Sequence, residues 1–135
     1  MKAWNIGDSE KHSITITETA NKIFADMSGD NNPVHFSKER MAKTHFKKPI
    51  ANGIQCISCI GATIVKMFVS DSTIVIAIEQ HNSFLKPVYV GETITATIEI
   101  ESIPKPDNYW LQCMITNGDN EIVTSCRFRV RVLEA

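Results

Sequence analysis

No long basic run occurs in this sequence, and its formal net charge is -1, so nothing in it draws a polyanion such as nucleic acid. No apolar stretch reaches the ~20 residues that a bilayer-spanning helix requires. The longest, Ile54 to Val65, is interrupted by Gln55, Ser58 and Thr63. Met1 to His12 is charged and lacks an apolar segment of the signal-peptide kind, so a cytoplasmic location is expected. Cysteine is scarce. Cys56-Ile57-Ser58-Cys59 has the C-x-x-C form, but it lies in an apolar run, and Cys113 and Cys126 do not supply a second pair at zinc-site spacing. All four read as buried, reduced thiols used as small apolar groups. His45 and His81 have no ligand partners at metal spacing, and His12 is expected to be exposed on the first strand. A glycine-rich phosphate loop and a nucleophile elbow are both missing. No metal or other cofactor is therefore expected.

What is present is ordinary globular composition, 43% hydrophobic and 21% charged over 135 residues. There is no internal repeat, low-complexity tract or linker, so residues 1–135 are expected to form one domain with a core of useful size. Lys11 to Ile16 alternates as a short strand would. Thr17 can cap a helix carrying Ala20, Ile23, Phe24 and Met27 at i, i+3, i+4, i+7, a stripe expected to lie on the core. Ser28-Gly29-Asp30 ends that helix with turn chemistry. Asn31-Asn32-Pro33 blocks immediate continuation, and a short helical turn follows at Lys38 to Lys43.

From Gly53 to Phe68 the sequence predicts a helix apolar nearly all round, which other elements must wrap. β-branched and alternating segments come next. Thr73 to Ile78 and His81 to Pro87 are extended, and Val88 to Glu92 is a turn. Thr93 to Glu101 places Ile94, Ala96, Ile98 and Ile100 on one face. Pro104 to Asn108 is expected as a loop, Tyr109 to Thr116 as a strand, Asn117 to Asn120 as a hairpin turn and Ile122 to Val132 as a last long strand. The fold class is α+β, an antiparallel sheet curled around a helix.

Asp30 and His35 stand five positions apart across the Asn-Pro turn. A carboxylate and an imidazole presented by one tight loop can hydrogen-bond a single water. That suits addition or elimination of water, in which one proton leaves oxygen and another reaches carbon. Taken alone, Gly29-Asp30-Asn31-Asn32-Pro33 is equally good turn composition, and a histidine after it is often a partly buried polar residue.

The wider context bears on the choice. Phe24-Ala25, Ser28-Gly29-Asp30, Asn32-Pro33-Val34-His35, Ala42, Phe46 and Pro49-Ile50-Ala51-Asn52-Gly53 together resemble the MaoC-like (R)-specific enoyl-CoA hydratase family. Ser83 to Glu92 is similar to that family's F-x-x-P-V-x-x-G-[DE] segment. The resemblance spans nearly the whole chain and implies a hot-dog fold and a homodimer with the thioester tunnel at its interface. It also implies catalytic roles for Asp30 and His35 at the water and for the Gly53 backbone N–H at the thioester oxygen. Asn32, Asn52, Pro49, Ile50 and Phe84 would contact or shape the substrate site. A helix N-terminus suits the oxygen, because unpaired N–H groups and the helix dipole favour negative charge there.

Three positions depart from the family pattern. Asn52 stands where histidine is usual, Ser37 where aspartate is common, and Gly61 where serine is frequent. The reaction implied is reversible hydration of a trans-2-enoyl thioester to a (3R)-3-hydroxyacyl thioester, with an acyl-CoA or acyl-carrier-protein substrate. Dehydration of carrier-protein-bound chains in fatty-acid or polyketide synthesis is the alternative within the class, and an acyl-thioester-binding protein without turnover is the alternative outside it. A thioesterase fits less well, since Gly53 to Phe68 contains no Asp or Glu. Lys47, Lys48, Lys86 and Lys105 could meet phosphates, although solvated charge is their simpler reading.

Overall fold

The computed structural model describes residues 3–135. In chain order it contains β1 (Ser9–Thr15), α1 (Glu18–Ser28), a 3-10 turn (Pro33–His35), α2 (Lys38–Ala42), α3 (Gly53–Phe68), β2 (Thr73–Phe84), β3 (Thr93–Lys105), β4 (Asn108–Thr116) and β5 (Ile122–Glu134). The strands form one antiparallel sheet in the order β1-β3-β4-β5-β2. Its inner face wraps α3, the arrangement expected of a hot-dog fold.

Strand alternation decides that inner face. Ile94, Ala96, Ile98 and Ile100 of β3 are buried, as are Leu111, Cys113 and Ile115 of β4 and Cys126, Phe128, Val130 and Val132 of β5. They close on Cys56, Cys59, Ile60, Ile64 and Phe68 of α3. Each large side chain so enclosed contributes about 1.5–3 kcal/mol. Trp4 seals the far end, its ring edge-on to Phe68 (5.0 Å) and Tyr109 (6.0 Å). The charged surroundings of Trp4 in the sequence conceal this core role.

Several expectations shift. Thr17 does cap α1, its Oγ1 accepting from the Ala20 N–H (3.0 Å), but the stripe read from periodicity is not the buried one. Ile23 and Met27 are exposed, and Asn21 and Ala25 are buried. α1 packs over the loop that follows it rather than over the sheet, and that loop supplies a backbone acceptor for Asn21. β2 runs unbroken from the first predicted piece into the second, with one irregularity between Ala77 and Glu79, and ends at Phe84, short of the Pro87 expected. β3 continues through Pro104 to Lys105, so the loop expected there shrinks to a tight turn carrying Asp107 at φ 65°. His12, expected on the surface, is half-buried. All four cysteines are buried and free, as read from the sequence. Among the described residues, no helix is long and apolar enough to cross a membrane.

Candidate active site

The loop after α1 is assembled by short-range chemistry. Gly29 adopts φ 80°, which glycine tolerates, and its N–H closes on the Ala25 carbonyl. Ser28 Oγ donates to the Phe24 carbonyl (2.7 Å) and accepts from the Asp30 N–H (3.1 Å), which turns the chain at Asp30. Asn32 then caps the 3-10 turn, its Oδ1 accepting from the Val34 N–H (3.1 Å), with Pro33 pre-set for the first position.

His35 is fixed at both ends. Its carbonyl accepts from Asn21 Nδ2 (2.9 Å), and its Nδ1 meets the Ile50 carbonyl at 2.7 Å. A carbonyl can only accept, so Nδ1 carries the proton. In the neutral ring Nε2 is therefore the free base. The backbone is tied at the same place, with the Ile50 N–H donating to the Val34 carbonyl (3.0 Å).

Two residues further on, Asn52 caps α3. Its Oδ1 accepts from the Ile54 N–H (2.9 Å) and its Nδ2 donates to Asp30 Oδ2 (2.7 Å). Asp30 and His35 are thus both anchored to the segment leading into α3, Asp30 through the Asn52 side chain and His35 through the Ile50 backbone. Asp30 Oδ1 and the Gly53 N–H have no hydrogen-bond partner among the described residues. The Phe84 ring lies against Gly53, where a Cβ would come within 2.5 Å of it.

A cleft of about 470 Å³ opens at this point, walled by His35, Ile50, Gly53, Cys56, Phe84 and Val88. Burial pushes the Cys56 thiol up to about 12, so it is a neutral wall rather than a nucleophile. Of the residues expected at the site, His35, Ile50, Asn52, Gly53 and Phe84 line this cleft. Asp30 stands behind Asn52, outside the lining. Asn32 acts on the backbone of its own turn. Pro49 belongs to a second cleft, about 780 Å³, on the other side of His35, together with Lys22, Lys38, Lys47 and Lys48. Lys86 is paired with Glu121.

The departures also find their places. Ser37 caps α2, its Oγ accepting from the Arg40 N–H (3.1 Å), a task aspartate performs equally well. A Cβ on Gly61 would meet nothing within 4 Å, so glycine there leaves space open beside α3. Asn21 escaped the sequence reading because a single asparagine within a helix carries no pattern, and its partner is a backbone atom 14 residues away.

A buried helix wrapped by one antiparallel sheet, with a polar loop docked on the helix start, defines the hot-dog class. The (R)-hydratase from A. caviae overlays with a TM-score of 0.88 over 97% of this chain and 98% of that one, at 23% identity, a likeness that establishes the fold. The family follows from sequence. The MaoC like domain model matches residues 4–109, and the chain belongs to that family. It is 30% identical over 101 residues to a 3-hydroxybutyryl-CoA dehydratase from Methylorubrum extorquens, covering 74% of this chain and 63% of that protein. It is 31% identical over 97 residues to an (R)-specific enoyl-CoA hydratase from Rhodospirillum rubrum, covering 72% of this chain and 66% of that one. The matched part of the chain thus spans about two thirds of the length of these relatives.

Proposed function

We propose that the chain adds water reversibly to trans-2-enoyl thioesters, giving (3R)-3-hydroxyacyl thioesters. The observation that carries this reading is the juxtaposition in one apolar cleft of a His35 ring with its Nε2 lone pair free and a Gly53 N–H without a protein partner. The names of the two relatives point to the same chemistry.

The thioester carbonyl oxygen accepts from the Gly53 N–H, which polarises the conjugated double bond. His35 and Asp30, the latter through its free Oδ1, hold one water. As the water oxygen bonds to C3, His35 Nε2 takes one of its protons while the Asp30 carboxylate holds the water and steadies the imidazolium; the pair then passes that same proton on to C2 and ends as it began. The elements of water are thereby added across the double bond with no other reactant. Charge that builds on the carbonyl oxygen during C2 protonation faces the start of α3, where the helix dipole favours it.

CoA is the carrier in this reading, with a carrier-protein thioester as the alternative; the cleft beside His35, where Lys38, Lys47 and Lys48 stand with Glu18 and a Lys22–Asp26 pair, keeps a positive balance that suits the phosphate that either one bears. The protein works as a homodimer joined along β2. Among the described residues this strand pairs only with β5, leaving its other edge free, and Ile74, Ile76 and Ile78 are exposed along it.

Crotonyl-CoA and loss of the enoyl absorbance provide the test. Turnover is expected, reduced by about 10²–10⁴-fold in His35→Ala and Asp30→Asn. No turnover on short or medium enoyl-CoA would refute the hydratase reading. Full activity in Asp30→Asn would refute that residue's assignment.

A further inference from the structure

Asn52 is 4% exposed, and both ends of its amide are committed. Only one orientation satisfies the pair of contacts: oxygen toward the Ile54 N–H, nitrogen toward Asp30. We propose that Asn52 is a positioning residue, clamping the Asp30 carboxylate onto the first turn of α3 so that Oδ1 alone is left to meet the water. The proposal rests on Asp30 being one of the acid/base pair.

Three observations support it. Asp30 forms no other side-chain hydrogen bond among the described residues, so the 2.7 Å contact sets the carboxylate's position. The loop before Asp30 is fixed only through backbone contacts at Gly29 and the Ser28 hydroxyl, which leave the carboxylate free to rotate. The clamp shares a residue with the helix cap, so it places Asp30 relative to the Gly53 N–H, the neighbouring backbone donor. An amide performs this without gaining or losing a proton across the working pH range, unlike the histidine usual at this position. The titratable groups on surrounding elements are His35 on the 3-10 turn, Glu18, Lys22 and Asp26 on α1, the last two paired with each other (3.4 Å), Lys38 on α2, Lys47 and Lys48 before α3, and Cys56 on α3.

The discriminating variant is Asn52→Asp. Aspartate caps a helix as well as asparagine does, so the cap survives, but the donor facing Asp30 is replaced by a second carboxyl oxygen. Near neutral pH the two carboxylates repel and Asp30 swings away. At lower pH they share one proton and the contact re-forms. The expected result is a kcat reduced by about tenfold to a hundredfold at pH 8 with KM nearly unchanged, recovering as the pH falls. Wild-type kcat with a wild-type pH profile, in a variant that melts like the parent, would overturn the clamp.

The exchanged pair Asp30→Asn with Asn52→Asp separates this from the underlying reading. It restores one amide and one carboxylate at the same contact but moves the charge to position 52. Stability close to the parent with activity still lost is expected. Full activity in that double variant would remove Asp30 from the chemistry and the clamp with it.

Discussion

Replacing Gly53 with alanine adds one methyl where α3 begins. Its position is known from the backbone: 2.5 Å from Phe84 Cε1, 2.8 Å from Cδ1 and 3.1 Å from Cζ. Contacts that short force the ring to move. Phe84 is 57% exposed, so its ring can swing outward, at a cost of about 0.5–1.5 kcal/mol for a displaced rotamer. Against this, alanine is favoured over glycine in a helix by about 0.5–1 kcal/mol. The two terms nearly cancel. The folded state should therefore change by no more than about 1 kcal/mol, a shift in Tm of roughly 5 °C or less.

Activity should not be spared. The methyl occupies the approach to the Gly53 N–H, and the displaced ring narrows the cleft that it lines. Loss of one donor to a developing oxyanion costs about 2.7–4 kcal/mol, or 10²–10³ in kcat. Thermal melts and crotonyl-CoA hydration, run side by side, measure both quantities. Gly53→Ala combined with Phe84→Ala then tells the two obstructions apart. Activity that returns to the level of Phe84→Ala alone assigns the block to the ring, and activity that stays lost assigns it to the methyl. A Gly53→Ala enzyme with parental kcat/KM would refute the role given to this N–H.

Further outcomes follow from other contacts. Asn21→Leu removes the donor to the His35 carbonyl at a 4% exposed position and should cost about 1–3 kcal/mol in urea unfolding, with kcat falling as well. Unchanged kcat would mean that the Ile50 contact alone holds His35. The Cys56 thiol ionises near 12 in the fold against an ordinary value of 9.0, so the unfolded chain releases the proton first. Stability should be unaffected by this group below pH 9 and should decline between pH 9 and 12, as read by thermal melts. At pH 8 the native protein should react with a thiol reagent about a thousandfold more slowly at Cys56 than the denatured chain does. Ile76→Lys on the free edge of β2 should convert a dimer to monomers in light scattering. A dimer that persists would place the interface elsewhere.

Much of the fold was legible in the sequence because its signals are local. The period of two in Thr93 to Glu101 fixed the buried face of β3, and the segment from Gly53 to Phe68, apolar nearly all round despite Gln55, Ser58 and Thr63, read as a helix that other elements must wrap. Turn chemistry marked Gly29 and the Pro33 turn for the same reason: backbone geometry at those points depends on the residues themselves. The reading of α1 failed because a stripe at helical spacing states which residues share a face, not what that face meets. The loop supplied a hydrogen-bond acceptor for Asn21, and of the stripe Ile23 and Met27 were turned outward while Ala20 and Phe24 stayed half-buried.

At the site the division is similar. The sequence by itself determined the chemical parts, a carboxylate and an imidazole on one short loop and a glycine at a helix start. Tertiary structure alone decided their relations. It set the His35 tautomer through the Ile50 carbonyl, put Asp30 behind Asn52 and outside the cleft lining, and laid Phe84 over Gly53. These contacts join residues 15, 22 and 31 positions apart in the chain. No local pattern encodes such distances; they exist only once β2 and the loop after α1 converge on the first turn of α3.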